Sequence, residues 1–465
     1  MKCGLCCCCL VIPIAVSIVI ALVLTGFLDD DPNPPEIQDG WWGKGEKTED
    51  DLSLKGIKIM VTDSIIDDLK ERLSKTRYFD SLEDANFNYG FSVDYMKEVV
   101  KYWSEKYDWR KAELELNEYK HYKTQIEGIF IHFVHIKPDV KEQDIVVRPL
   151  LLVHGWPGSF YEFYKMIPLL TKPQNGLVFE LVLPSIPGYG FSEASHKQGF
   201  DQVDTARIFH KLMTRLGHQS YYVQGGDWGA AITQYMSILY PQSVLGLHSN
   251  MFQMEMGGKA LLKFFIAAML PSAILEEQDI PKIHPIWDKL AFILNEVGYA
   301  FLQFTKPDTI GMALSDSPVG LAAYILEKFS TCTNPGHRDL PDGGLTKKFT
   351  LDELLTNVMI YWTTKSVTSS MRLYKERVWS DQTSDMGRYK VRVPTGIAYF
   401  PHEIPFGCAP LLFTTNAKHL LQYTNMPTGG HFAAFEEPQL LAADIWKFVE
   451  KAEEFHKKHN ADSNT

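Results

Sequence analysis

The chain has 465 residues, 45% hydrophobic and 12% aromatic, enough for one large domain with insertions or for two or three units, with a substantial core. The formal net charge of −11 comes without a long basic block, which argues against nucleic acid as a partner. Outside an amino-terminal cluster, only Cys332 and Cys408 remain, too few for a disulfide scaffold.

Residues 10–28 form a nearly uninterrupted apolar run without charge, and about twenty such residues span a bilayer. The run is long for a signal core, and Thr25-Gly26-Phe27-Leu28 is a poor cleavage sequence. Residues 1–28 are therefore expected to be a retained, single membrane anchor. Beside it, Cys3, Cys6, Cys7, Cys8 and Cys9 are either palmitoylation sites or small apolar residues at a membrane edge. They lack the loop and His partners of a zinc site. The absence of any Asn-x-Ser/Thr sequon favours a cytosolic catalytic part, whereas Lys2 before the run and Asp29, Asp30 and Asp31 after it favour the reverse. Orientation stays open at this level.

Residues 29–45 are rich in Pro, Gly and Asp and read as part of a linker, 29–53, with Trp41 and Trp42 placed to rest at headgroup level. A meandering segment, 54–147, then alternates helical patterns with one strand pair. Ser64 is the expected N-cap of a helix over 65–73, and a second helix covers 91–107. Strands are expected at 119–125 and 128–135 around a Glu-Gly turn.

From Pro149 the pattern turns to short apolar strands separated by helices: 149–153, 179–183, 221–224, 244–248, 395–400 and 420–425, closed by an amphipathic helix over 439–456. Such alternation implies an α/β fold built on a doubly wound, mostly parallel sheet whose ligands sit beyond the carboxyl ends of the strands. The block 251–390 breaks the alternation and reads as largely helical. It falls between two core strands, and is expected to form a cap over a core made of 148–250 and 391–465.

The strand at 221–224 runs into Gly225-Gly226-Asp227-Trp228-Gly229-Ala230 and then into a helical pattern. Small residues on both sides of one reactive side chain suit a sharp strand-to-helix turn, the nucleophile elbow, usually occupied by Ser. A carboxylate there needs no base to attack a saturated carbon, and the product is an alkyl ester on the protein. His154-Gly155-Trp156-Pro157 follows the 149–153 strand and offers backbone N–H groups for an oxyanion hole, with the Trp156 and Trp228 amides as the natural donors. His154 itself is expected to be structural. His431, in Gly429-Gly430-His431-Phe432, is the candidate base, in the chain order nucleophile, acid, base. Glu403 is the only carboxylate in the loop after the 395–400 strand and is the candidate acid; Glu436 and Glu437 run into Pro438, where acids serve a helix dipole.

This set permits two reactions, epoxide opening or halide displacement. The first needs proton donors facing Asp227 from the cap. Tyr299, Tyr324, Tyr361 and Tyr374 are available there, and spacing does not choose among them.

The motifs His154-Gly155-Trp156-Pro157, Gly226-Asp227-Trp228-Gly229 and Gly430-His431-Phe432, with the cap segments Lys306-Pro307-Asp308-Thr309 and 316–324, resemble the microsomal-type epoxide hydrolases, including the juvenile hormone epoxide hydrolases, of the α/β-hydrolase superfamily. The resemblance covers nearly the whole chain. It implies that Asp227 attacks an epoxide carbon, that Tyr299 and Tyr374 bind and protonate the epoxide oxygen, and that His431, oriented by Glu403, activates water to release a vicinal diol. It implies no metal or organic cofactor. It further implies an endoplasmic reticulum membrane location, with residues 1–28 in lipid, the catalytic part in the cytosol, and apolar epoxides and water as partners. The cysteine run is not part of that pattern. The rivals are a haloalkane dehalogenase, which would usually carry Asn in place of Trp156, and a silent lipid or steroid binder on the same fold.

Overall fold

The computed structural model describes residues 32–140, 144–253, 258–405 and 410–462; the expected anchor and its cysteines lie outside them. Among the described residues no single helix is long and apolar enough to cross a membrane. The strands are β1 (Lys55–Ile57), β2 (His121–Ile126), β3 (Ile129–Ile136), β4 (Val146–Val153), β5 (Leu177–Pro184), β6 (Tyr221–Gly225), β7 (Val244–Ser249), β8 (Val391–Tyr399) and β9 (Ala417–Asn425). They form one sheet in the order β1-β2-β3-β5-β4-β6-β7-β8-β9. The first three neighbouring pairs are antiparallel, and every pairing from β5 through β9 is parallel.

The parallel centre is buried on both faces, which is why Leu150, Leu151, Leu152 and Val153 succeed one another without alternation. Pro149 sits in β4, which begins at Val146 rather than at Pro149. Here β4 pairs only with β5, since the β6 pairing starts at Leu150, and a missing N–H is tolerated there. β8 likewise begins at Val391, ahead of the expected 395. The hairpin β2–β3 turns on Glu127 (φ 53°) and Gly128 (φ 87°), the paired positive φ values of a tight two-residue turn.

In the meander, the first helix is Asp63–Ser74 with Thr62 at its N-cap, in place of Ser64, and no side chain caps it. The second is Val93–Glu105, capped by Ser92 Oγ accepting from Tyr95 N–H. A third, Trp109–Leu116, was not foreseen. The segment expected to be a linker lies against the body. Trp42 Nε1 donates to Glu127 at 3.1 Å, its ring meets Phe200 edge-on at 5.0 Å, and the Trp41 ring covers Gly43 and Gly128. Both indoles thus face protein.

Between β7 and β8 the chain is helical, from Gly258–Met269 to Asp381–Met386. These helices form the cap. Tyr299, on Gly298–Thr305, and Tyr374, on Val367–Trp379, bring it over the loops that follow β4 and β6.

Candidate active site

β6 delivers the chain through Gly226 to Asp227, on which the helix Asp227–Leu239 starts. Asp227 has φ 50°, a left-handed conformation that costs a non-glycine residue of order 1–3 kcal/mol and clusters at functional sites. A Cβ on Gly229 would collide with the Val153 carbonyl, and one on Gly155 with the Asp227 carboxylate. The glycines therefore let the elbow close onto the end of β4.

One carboxylate oxygen of Asp227, Oδ1, accepts the Trp156 N–H at 2.7 Å. The other, Oδ2, lies 3.4 Å from His431 Nε2. On the far side of the ring, His431 Nδ1 meets Glu403 Oε1 at 2.7 Å. Glu403 Oε1 also accepts the Ile404 N–H at 2.8 Å. The Trp228 amide belongs to the first turn of the elbow helix, whose N–H groups have no intrahelical acceptor. Side-chain exposure falls along the chain of groups, from 17% at Asp227 to 6% at His431 and 1% at Glu403. Burial opposes charge on the imidazole, but the adjoining Glu403 and Asp227 carboxylates prevail and hold His431 well above its ordinary value.

The His431 loop is fixed from three sides. Gly429 takes φ 102°, and the His431 N–H donates to the Cys332 carbonyl at 3.0 Å. Glu436 accepts the Gly430 and Phe432 amides, both at 2.8 Å. Glu436 thus brackets His431 and clamps the loop, instead of serving the dipole of the last helix. Burial pushes its carboxyl up to about 8, against those two amides. Glu437 pairs with Lys348.

From the cap, the Tyr299 ring stacks on Trp156 at 5.1 Å and the Tyr374 ring meets Trp228 edge-on at 4.5 Å. The two phenols lie 6.2 Å apart, centroid to centroid. Burial raises both well above the ordinary value, and the nearby Asp227 charge adds to it, so both remain O–H donors. The other two candidates are engaged elsewhere. Tyr361 donates to the Gly158 carbonyl at 2.7 Å, and Tyr324 donates to the Tyr299 carbonyl at 3.4 Å.

His154 is fully buried, accepts the Ile186 N–H through Nε2 at 3.1 Å and lies 3.0 Å from the Gly155 carbonyl through Nδ1. Burial lowers it to about 4, so it is a neutral brace for the loop. Two residues around Asp227 escaped sequence reasoning. Asn250 follows β7 and accepts from Gln224 Nε2 at 2.8 Å. Glu162 sits on the short turn Phe160–Phe163, and an acid at such a place looks like ordinary helix-start chemistry. Among the described residues one group could hold a metal, His135, Glu180 and His218. It lies on β3, β5 and a helix end, and His135 Nε2 meets Glu180 at 2.6 Å.

Comparison with known proteins matches this geometry. Residues 54–163 match the family described as epoxide hydrolase N terminus, and residues 148–265 the alpha/beta hydrolase fold. The chain is 48% identical to epoxide hydrolase 1 of Sus scrofa, over 94% of this chain and 98% of that protein. It is 46% identical to juvenile hormone epoxide hydrolase 2 of Ctenocephalides felis, over 98% of each. The crystal structure of juvenile hormone epoxide hydrolase from the silkworm Bombyx mori superimposes with a TM-score of 0.87, at 41% identity, over 90% of this chain and 99% of that one. With its α/β-hydrolase fold, its helical cap and near full-length identity to these enzymes, the chain belongs to the epoxide hydrolases.

Proposed function

We propose that the chain opens apolar epoxides to vicinal diols in two steps, with Asp227 as nucleophile and His431 as the base that activates water. The observation that carries this is the unbroken line from Trp156 N–H through Asp227 and His431 to Glu403, at 2.7, 3.4 and 2.7 Å. Asp227 attacks an epoxide carbon, the C–O bond of the ring breaks, and the leaving oxygen takes a proton from Tyr299 or Tyr374. The ester removes the Asp227 charge from beside the imidazole. His431 then loses one of the two carboxylates that kept it protonated, its proton replaces by way of solvent the one the phenol gave up, and the imidazole is a neutral base when water must be activated. Trp156 and Trp228 amides hold the oxyanion as water adds to the ester carbonyl.

Halide displacement would draw on the indole N–H groups of Trp156 and Trp228, both buried without a hydrogen-bond partner among the described residues. Two phenols kept protonated opposite Asp227 favour an alkoxide leaving group instead. Two of the relatives are named for juvenile hormone, and the aromatic cap suits arene oxides and fatty-acid epoxides as well. The apolar run 10–28 supports a membrane anchor, and the family resemblance, rather than the run itself, points to the endoplasmic reticulum with the catalytic part in the cytosol.

The test is a single turnover in isotopically heavy water. Solvent oxygen should enter the Asp227 carboxyl first, and direct entry into the diol would overturn the two-step reading. Asp227→Ala should abolish turnover, and His431→Gln should accumulate the ester on the Asp227 peptide.

A further inference from the structure

Behind Asp227, on the side of His431, lies a cavity of about 10 Å³ lined by Glu162, Asp227, Asn250, His431 and the Gly155–Trp156 turn. A space of roughly 10–15 Å³ on this measure admits a single water, which then needs two to four polar partners. His431 Nε2 supplies one. The Glu162 carboxyl also faces the cavity and has no hydrogen-bond partner among the described residues. Gly158 opposite it leaves the room for that carboxyl, because a Cβ there would strike Glu162 Oε2. The Gly158 carbonyl is pinned by Tyr361 at 2.7 Å, and the preceding Pro157 carbonyl by Asn357 at 2.8 Å. The wall beside Glu162 is thus rigid.

We propose that Glu162 holds the attacking water for the second step, accepting one of its protons while the other points to His431 Nε2. This inference rests on the ester reading above. The water oxygen bonds to the ester carbonyl carbon of Asp227 and His431 takes one proton. The carbon–oxygen bond to the alkyl group then breaks, and the alkyl oxygen collects that proton from His431. Asp227 returns as a carboxylic acid that ionises. Burial pushes the Glu162 carboxyl up to about 8, helped by the Asp227 charge and opposed by His431. At neutral pH it therefore adds no second negative charge beside the nucleophile.

Rapid-mixing kinetics with an aryl epoxide on the full chain separate the two steps. In Glu162→Ala the ester should form at a rate within about 3-fold of the parent, while its hydrolysis slows about 10- to 100-fold, the range expected when a positioned partner is lost. The ester should then dominate the steady state. Glu162→Gln keeps an acceptor oxygen in place and should recover most of the hydrolysis rate. Equal slowing of both steps in Glu162→Ala, or no slowing of hydrolysis, would overturn the proposal. Failure of the ester reading itself shows separately, as absence of any ester on Asp227 in His431→Gln.

Discussion

Tyr299 and Tyr374 come from two cap helices, each lodged against one of the tryptophans that flank Asp227. Packing against Trp156 and Trp228 orients the phenols, and burial keeps them protonated. A phenol that is hard to ionise in the resting site can give up its proton to a developing alkoxide, as the proposed ring opening requires, because the alkoxide is far more basic. Removing one hydroxyl leaves the other, so Tyr299→Phe and Tyr374→Phe should each slow ester formation roughly 100-fold. The double variant should slow it by much more. Stopped-flow measurement of the alkylation step checks this, and hydrolysis of preformed ester should hardly change. Tyr361→Phe acts elsewhere: it frees the Gly158 carbonyl, so its expected effect is on the wall of the water cavity.

At the scale of elements, the cap is fastened to the core through Asp201. This residue begins the helix Gln202–Arg215 with a capping box, accepting the Val203 and Asp204 amides at 2.8 and 3.1 Å. It is 1% exposed, and it also accepts the hydroxyls of Ser380 and Thr383, which lie around the last cap helix, Asp381–Met386. One carboxylate therefore serves a core helix and a cap helix together. Asp201→Ala should lower stability by about 2–4 kcal/mol, combining a lost N-cap with buried hydroxyls left unpaired. Thermal melting measures it, and Asp201→Asn, which retains one acceptor oxygen, should lose less. The elbow is the second such joint. Its helix abuts β4 only because Gly229 presents no side chain to the Val153 carbonyl.

Over the whole molecule, residues 39–51 form a strap tied to the β2–β3 turn. Glu127 accepts from Arg207 Nε and Nη2 at 2.7 Å, from Lys211 at 2.9 Å, and from Gly40 N–H and Trp42 Nε1 at 3.1 Å. Asp50 returns the favour by accepting the Glu127 and Gly128 amides, both at 2.7 Å. Arg207 is buried, and with Glu127 removed its remaining ion pair among the described residues is with Asp204. Glu127→Ala should therefore destabilise the protein by about 3 kcal/mol and expose the strap to protease near Trp41 and Trp42, as limited proteolysis with peptide mapping would report. Farther up the chain, Arg392 at the start of β8 donates to the Pro32 carbonyl and to Asn33. Glu403 follows the other end of that strand. A nine-residue strand spans roughly 30 Å, so the chain meets the body at the end of the sheet remote from the cap.

What the sequence alone determined is local. The small residues around Asp227, the glycines before His431 and the apolar runs of the parallel strands each restrict backbone or burial over a few neighbours, and such restrictions are legible one segment at a time. That is why the elbow, the candidate acid Glu403 and the helical cap could be read from spacing, with the family resemblance narrowing the cap tyrosines to two. Tertiary structure alone decided that Tyr299 and Tyr374 lodge against Trp156 and Trp228, that Glu436 clamps the His431 loop, that Glu162 lines a water-sized cavity, and that Trp41 and Trp42 lie on protein. These depend on contacts between residues tens to hundreds of positions apart, where the same side chain has the same composition and periodicity whether it lines a site or fills a core. Only packing distinguishes the two.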